Sequence, residues 1–263
     1  MHHRPLSFMV ALPSILLLLL LGFMQQHHAV FANAENGTLP PTVITHTVVL
    51  TSTKDNTLYE DTEGDVSNGM GAFFFVGKTA GGSNRRGLLA FDVAGSLPAG
   101  ATVVSASLQL QMSKTSGGAA TVGLHRALAD WGEGTSDAAA NEGQGGTATT
   151  GDATWLHTFY DTTLWQTPGG DFAPTATART SVDGVGFYTW ASTPTLVAEV
   201  QGWVETPASN FGWVVVGDES ANGTAKRFIA RESGAAANRP QLTVVYTITE
   251  TAQSNIYLPI IQK

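Results

Sequence analysis

Two stretches of the chain place basic side chains and a carboxylate at the ends of a short apolar run. They are Arg85-Arg86-Gly87-Leu88-Leu89-Ala90-Phe91-Asp92-Val93 and Lys226-Arg227-Phe228-Ile229-Ala230-Arg231-Glu232. A guanidinium group is planar and always charged, and it binds a carboxylate through two parallel hydrogen bonds. If these stretches are neighbouring strands, the sequence predicts one polar site for acidic groups, formed by Arg85, Arg86, Lys226, Arg227 and Arg231. The alternative is a structural role in ion pairs at sheet edges, where exposed pairs contribute little.

Aromatic side chains are frequent in the long segment 129–185, which is otherwise rich in Gly, Ala, Thr and Asp. Aromatic faces stack on the apolar faces of sugars, so the segment supplies candidates for a glycan site: Trp131, Trp155, Trp165 and Tyr160. The alternative is that these rings are buried beneath the segment, because large aromatic side chains usually bury most of their area. Trp190, Trp203 and Trp213 fall in regular strand or helix patterns and are predicted to lie in the core.

Carboxylates in turns are candidates for a structural calcium ion, because calcium prefers oxygen ligands. The candidates are Asp55, Asp61, Asp92, Asp218 and Glu219. The chain has no EF-hand loop, and acid-rich turns often only face water. Zinc is not expected, because the chain has no cysteine and its histidines lack ligand spacing.

Catalytic motifs such as G-x-S-x-G and H-E-x-x-H do not occur in the sequence. A pair of carboxylates for glycoside hydrolysis needs only a separation of about 5–10 Å in space. Glu133 and Glu142 are the acids we would test for that role. The sequence therefore predicts a protein that is not an enzyme.

The composition limits the classes of partner. The chain has 263 residues, with 13 Lys and Arg against 21 Asp and Glu, and a net charge of −8. This balance disfavours nucleic acid as a partner. A protein with 29 Gly, no Cys and 13% charged residues is typical of an extracellular β protein with many turns.

The N-terminus has the features of a secretory signal peptide over residues 1–34. Arg4 precedes an apolar run at 8–23, and Ala32-Asn33-Ala34 matches a cleavage site. The run of about 16 residues is short for a membrane span, so we expect a secreted chain without a span after cleavage. Residues 35–41 are predicted to be a linker, 42–249 one domain, and 250–263 a tail. The tail is either a surface-retention signal or a frayed end.

The domain is predicted to be an all-β sandwich with one short helix and a long inserted loop. Residues 102–112 alternate between apolar and polar side chains, and the predicted buried face carries Val104, Ala106, Leu108, Leu110 and Met112. Residues 87–93 indicate a strand buried on both faces. Ser192 or Thr193 is the predicted N-cap of a helix that contains Pro194 and ends at Pro207. Many short strands separated by turns favour a sandwich.

The order of several motifs over residues 45–247 resembles the DNRLRE-type domain, which is classed as carbohydrate-binding module family 96. The motifs are Arg86-Gly87-Leu88-Leu89-Ala90-Phe91-Asp92, Leu97-Pro98-Ala99-Gly100-Ala101, Val104-x-Ser-Ala106-x-Leu108, Phe211-Gly212-Trp213, Arg231-Glu232 and Arg239-Pro240-Gln241-Leu242-Thr243-Val244. Many relatives have a W-x-E motif followed shortly by T-W. Here Trp131-Gly132-Glu133 is separated from Thr154-Trp155 by a Gly- and Ala-rich insertion at 132–153.

This resemblance implies a jelly-roll sandwich that binds polysaccharide, with acidic glycans such as alginate as the best-known class. In such domains basic side chains bind the carboxylates of the sugar acids. The expectation is therefore a secreted, non-catalytic domain for an acidic polysaccharide. The alternative is a cell-surface or extracellular-matrix protein that uses the same sandwich for adhesion.

Overall fold

A computed structural model describes residues 41–140 and 142–250 of the chain. The predicted signal peptide, the tail beyond residue 250 and all but the last residue of the linker lie outside the described residues. In the described part the chain forms fifteen strands: β1 (Thr42–Thr51), β2 (Lys54–Tyr59), β3 (Val66–Ser67), β4 (Phe73–Lys78), β5 (Asn84–Ala90), β6 (Thr102–Thr115), β7 (Ala120–Arg126), β8 (Gly146–Thr147), β9 (His157–Phe159), β10 (Thr163–Leu164), β11 (Ala178–Val182), β12 (Gly186–Trp190), β13 (Trp213–Val216), β14 (Lys226–Ile229) and β15 (Gln241–Glu250).

Eleven of these strands form one large antiparallel sheet that curls into two layers. In the first layer the long strand β6 pairs with β15 and β14 along one edge and with β12 along the other. In the second layer β5 pairs with β2 and β13, and β13 continues to β7 and β11. Strand β4 belongs to both layers, because Phe73–Val76 pairs with β14 and Gly77–Lys78 pairs with β5. The predicted all-β sandwich is confirmed.

The main core contains side chains from both layers and from the helix. It contains Phe74 and Phe228, whose rings stack with centroids 5.4 Å apart, together with Trp190 and Trp213. Trp203 of the helix packs on Trp213 at 4.6 Å between centroids. The three tryptophans predicted to be core residues are all buried, so that prediction is confirmed.

A β-bulge changes which residues of β6 face inward, so the predicted inner face is wrong at Val104. Ala106, Leu108, Leu110 and Met112 are buried as expected, but Val104 is exposed. The pairing with β15 skips Val104, since Val245 lies opposite Ser105 and Tyr246 lies opposite Val103. An extra residue in one strand reverses the alternation beyond it, so Val103 takes the inward position instead.

The only α-helix within the described residues is α1 (Pro194–Glu205). Thr193 is the N-cap, and its hydroxyl accepts a hydrogen bond from the backbone N of Leu196 at 3.0 Å. The other predicted cap, Ser192, accepts a hydrogen bond from the N of Ala106 instead. The helix ends before Pro207, as predicted. In the described part of the chain no helix combines the length and apolarity needed to cross a bilayer.

The long segment between β7 and β11 covers the outer face of the second layer. A second apolar cluster lies beneath it and includes Leu58, Leu88, Val214, Trp131 and Trp155. Strand β5 therefore buries Leu88 against this segment and Leu89 in the main core. This explains the continuous apolar run that follows Arg86, because both faces of the strand are covered.

Gly132 of the Trp131-Gly132-Glu133 motif lies where no side chain fits. A Cβ atom built at Gly132 would be 1.7 Å from the carbonyl oxygen of Gly151. The backbone N of Gly132 also donates a hydrogen bond to Thr158 O at 2.9 Å. We therefore expect Gly132→Ala to lower the free energy of unfolding by about 1–3 kcal/mol, as overpacking does. Urea denaturation measures this, with Gly118→Ala as control because a Cβ there meets open space.

Candidate functional site

The two adjacent arginines of β5 are directed to different environments. Neighbouring residues of a strand point to opposite faces, so Arg85 and Arg86 do not share a site. Strand β4 lies between β5 and β14, so the two basic stretches are not paired directly. Arg85 nevertheless meets Lys226 and Arg227 at one cavity, whereas Arg86 and Arg231 lie elsewhere.

The basic cavity has a volume of about 160 Å³. Its lining includes four basic residues, Arg85, Lys114, Lys226 and Arg227, and no Asp or Glu among the described residues. None of the four forms an ion pair with a carboxylate in the described part of the chain. The cavity therefore concentrates positive charge on a protein whose net charge is negative.

Arg227 and Lys114 present nitrogen atoms that other groups of the protein do not occupy. The guanidinium of Arg227 lies over the ring of Phe73 at 3.7 Å, and its Nε donates to Ser113 Oγ at 3.0 Å. These contacts fix the plane of the group. The terminal nitrogens of Arg227 make no hydrogen bond within the described residues, and Lys114 is exposed. Both are placed to donate to an incoming anion.

Lys226 and Arg85 are the other two basic residues of the lining. Lys226 and Arg227 are neighbours in β14, so the Lys226 side chain leaves the strand on the face opposite to that of Arg227. The Lys226 side chain is 1% exposed, and its Nζ donates to Thr115 Oγ1, Gly117 O and Gly118 O at 2.6–3.0 Å. Arg85 donates to Asn84 O at 2.8 Å and to Gly143 O at 3.4 Å, and it lies over Tyr59. Both groups are held in place by neutral oxygens, which leaves their positive charge uncompensated by a paired carboxylate.

Burial dominates the electrostatics of three of these cations. Desolvation lowers the pKa of Lys226, of Arg227 and of Arg85 relative to their ordinary values. The pKa values are lowered because burial removes water from around the charged forms.

Arg86 forms an ion pair on the other face of β5. Its Nε and Nη2 donate to the two carboxylate oxygens of Glu219 at 2.7 and 2.8 Å, and its Nη1 donates to Gly169 O at 2.8 Å. The guanidinium carbon lies 4.9 Å from the ring centroid of Trp155. Each nitrogen of the group makes one hydrogen bond, so Arg86 holds the long segment to the sheet.

Arg231 belongs to a separate cluster of three carboxylates, which comprises Asp55, Glu133 and Glu232. Its Nε and Nη2 donate to the carboxylate of Glu133 at 3.1 and 2.7 Å. Burial lowers the pKa of Arg231, but the hydrogen bond and charge of Glu133 raise it overall. Burial and the neighbouring acids raise the pKa of Asp55 well above its ordinary value and also raise that of Glu232.

The acids proposed from the sequence as calcium ligands are dispersed, and only Asp55 lies in a carboxylate cluster. Asp92 accepts from the N of Gly95, and Asp218 accepts from Ser220. Asp61 accepts from the N atoms of Glu63 and Gly64. Glu219 is paired with Arg86. These residues close turns or ion pairs, which are the ordinary roles of such acids.

The aromatic residues proposed as sugar-stacking groups lie away from the basic cavity. Trp131, Trp155 and Trp165 are buried in or beside the second apolar cluster. Trp131 donates from Nε1 to Phe211 O at 2.8 Å, and Trp165 donates to Thr154 O at 2.9 Å. Tyr160 is half-buried, with its ring against His157. The tryptophan rings thus anchor the long segment to the sheet.

Glu142 and Glu133, the acids considered for hydrolysis, are both engaged in structural contacts. Glu142 is buried and accepts from the N atoms of Ala72 and Phe73 and from Asn68 Nδ2. Glu133 accepts from the N of Asp55 at 2.9 Å as well as from Arg231. Each carboxylate links the insertion 132–153 to the sandwich.

Sequence reasoning missed Lys114, which lies at the end of β6. Its partner across the strands is Arg227, so two cations lie opposite each other where β6 and β14 pair. The alternation of β6 extends to Thr115, three residues beyond the predicted end. The alternation continues through Ser113 to Lys114, and extending the predicted strand along it would have identified Lys114.

Comparison of the chain with known protein-family models gave no match, and comparison with curated protein sequences gave none either.

Proposed function

We propose that this chain is a secreted, non-catalytic domain that binds an acidic polysaccharide through the basic cavity. The observation that carries the proposal is a cavity with four basic residues, and no acid, among the described residues of its lining. A guanidinium with free terminal nitrogens, as in Arg227, suits a carboxylate because both are planar and bind through two hydrogen bonds. The sequence resemblance to a polysaccharide-binding family supports the same class of ligand.

The size of the cavity supports a single acidic group as the bound unit. A volume of about 160 Å³ is below the roughly 300–1,000 Å³ of pockets that enclose a drug-sized ligand. This is room for one charged group of a chain and not for an oligosaccharide. The rest of the polymer would then lie outside the cavity, and repeated sugar acids along the polymer would raise the apparent affinity.

Affinity electrophoresis tests the proposal directly. A fragment of residues 39–263, which contains every described residue, is run in gels that contain alginate, polygalacturonate or a neutral glucan, with EDTA present throughout. We expect retardation by the two acidic polymers only. Since the protein has a net charge of −8, general attraction to a polyanion is unfavourable, and retardation requires a local site.

Variants of the cavity sharpen the test. We expect Lys114→Ala and Arg227→Ala each to lower the affinity about tenfold, the size expected for losing one charge-assisted hydrogen bond. Arg179→Ala is the matched control, because it removes an exposed arginine from β11 at the opposite edge of the second layer. Equal retardation of the wild type and both cavity variants, or none in any acidic gel, would contradict the proposal.

A further inference from the structure

Three carboxylates from distant parts of the sequence converge at one end of the sandwich. Asp55 lies on β2, Glu133 lies at the start of the long segment, and Glu232 follows β14. One carboxylate oxygen from each lies within 4.8 Å of the others. Asp55 is 1% exposed, so the cluster is not a solvated acidic turn.

One guanidinium faces these three acids. Arg231 donates twice to Glu133 and also lies beside Glu232 Oε1. Backbone groups contribute two further contacts, from Arg231 N to Asp55 Oδ2 at 2.7 Å and from Asp55 N to Glu133 Oε1 at 2.9 Å. With all three acids ionised, the cluster retains two formal negative charges, and buried charge without compensation is costly.

The carboxylate of Glu232 provides a second, independent observation. Its side chain is 11% exposed. Oε1 is ion-paired with Arg231, whereas Oε2 is buried with neither an ion pair nor a hydrogen-bond donor in the described part of the chain. Buried polar atoms without a partner are rare in folded proteins and commonly mark an ion or a water molecule. This carboxylate belongs to the same cluster as Asp55 and Glu133, so a ligand at that point would satisfy Oε2.

We infer that Asp55, Glu133 and Glu232 bind a calcium ion that fastens the long segment to the sandwich. The donor set consists of carboxylate oxygens, which calcium prefers and accepts in irregular geometry with one or two oxygens from each group. Structural zinc sites use Cys and His ligands, and magnesium demands near-octahedral geometry. The ion joins β2, the insertion and the strand end after β14, none of which is adjacent in sequence.

Calcium titration of residues 39–263 tests this inference. The protein is treated with EDTA, exchanged into metal-free buffer at neutral pH, and titrated with calcium chloride by calorimetry. The melting temperature is measured with and without calcium. We expect one ion per chain and a rise in melting temperature of about 5–10 °C when free calcium is 100-fold above the Kd.

Glu232→Gln and Asp55→Asn are the test variants, and Glu219→Gln is the control. We expect Glu232→Gln to fold and to melt in EDTA no lower than the wild type, because it removes one of the two excess negative charges of the cluster, while its calcium response is lost. We expect Asp55→Asn to lose the calcium response too. Glu219→Gln weakens the ion pair with Arg86 and should keep the full calcium response. Absence of calcium binding by the wild type, or full binding by Glu232→Gln, would overturn the inference.

Discussion

Replacing Arg86 by Ala is expected to lower the free energy of unfolding by about 3 kcal/mol. The guanidinium is half-buried, and its two hydrogen bonds to Glu219 are 2.7 and 2.8 Å long. Removing one partner of a buried ion pair leaves the other charge without compensation and typically costs 3–5 kcal/mol. The partial exposure of both side chains places the expected loss at the lower end of that range. The hydrogen bond to Gly169 O and the contact with Trp155 are lost as well.

Urea denaturation of Arg86→Ala, Glu219→Ala and the double variant measures this contribution. A double-mutant cycle isolates the coupling between the two side chains, and we expect the double variant to lose less than the sum of the single losses. Arg227→Ala is the control, because it removes an arginine that has no carboxylate partner in the described structure. We expect that variant to stay within about 1 kcal/mol of the wild type.

The same variants separate a structural role of Arg86 from a role in ligand binding. If Arg86→Ala keeps the stability of the wild type and loses retardation by acidic polymers, then Arg86 contacts the ligand and the ion pair contributes little. If stability falls and the folded fraction still binds, Arg86 holds the long segment against β5. The bidentate geometry with Glu219 favours the second result.

The sequence predicted the fold well because the fold depends on local patterns. The alternation in β6, the N-cap at Thr193 and the continuous apolar run in β5 each reflect which faces of an element are buried. The bulge at Val104 was not predictable, because it arises from pairing with β15, which lies far along the chain. Local patterns carry no information on such a shift in register.

The sequence predicted only part of the candidate site, because strand pairing decides which residues meet there. Arg85, Lys226 and Arg227 meet at one cavity, but their meeting depends on β4, which joins the two layers. Arg86 was grouped with Arg85 because the two are adjacent in sequence, although neighbours in a strand face opposite ways. The convergence of Glu133 and Glu232 on Asp55 follows from the path of a long segment without regular repeats, and no spacing in the sequence encodes it.

Replacing Trp131 by Ala is expected to lower the free energy of unfolding by about 3–5 kcal/mol, the cost of truncating a large buried aromatic side chain. The side chain is 1% exposed and belongs to the second apolar cluster. Its Nε1 donates to Phe211 O at 2.8 Å, and Lys54 Nζ lies 4.3 Å from the ring centroid. The substitution leaves both a cavity and an unpaired carbonyl oxygen.

Two matched variants identify what Trp131 contributes. Trp131→Phe keeps an aromatic ring and loses the hydrogen bond to Phe211, so we expect a loss intermediate between the wild type and Trp131→Ala. Phe187→Ala removes an aromatic side chain that is 50% exposed on β12. It should lower the free energy of unfolding much less. Urea denaturation in EDTA measures the free energy of unfolding of all three variants without a contribution from calcium.

The position of Trp131 means that this prediction also tests how the long segment is held to the sandwich. The residue immediately precedes Gly132, which has no room for a side chain, and Glu133, which reaches Arg231 and Asp55. If the ring anchors the segment, Trp131→Ala should also speed proteolysis within 132–153, because a loosened segment opens more often than the sandwich. If instead Trp131→Ala is as stable as the wild type and loses only glycan binding, the ring is a stacking face for sugar, and the segment is held by its ion pairs alone.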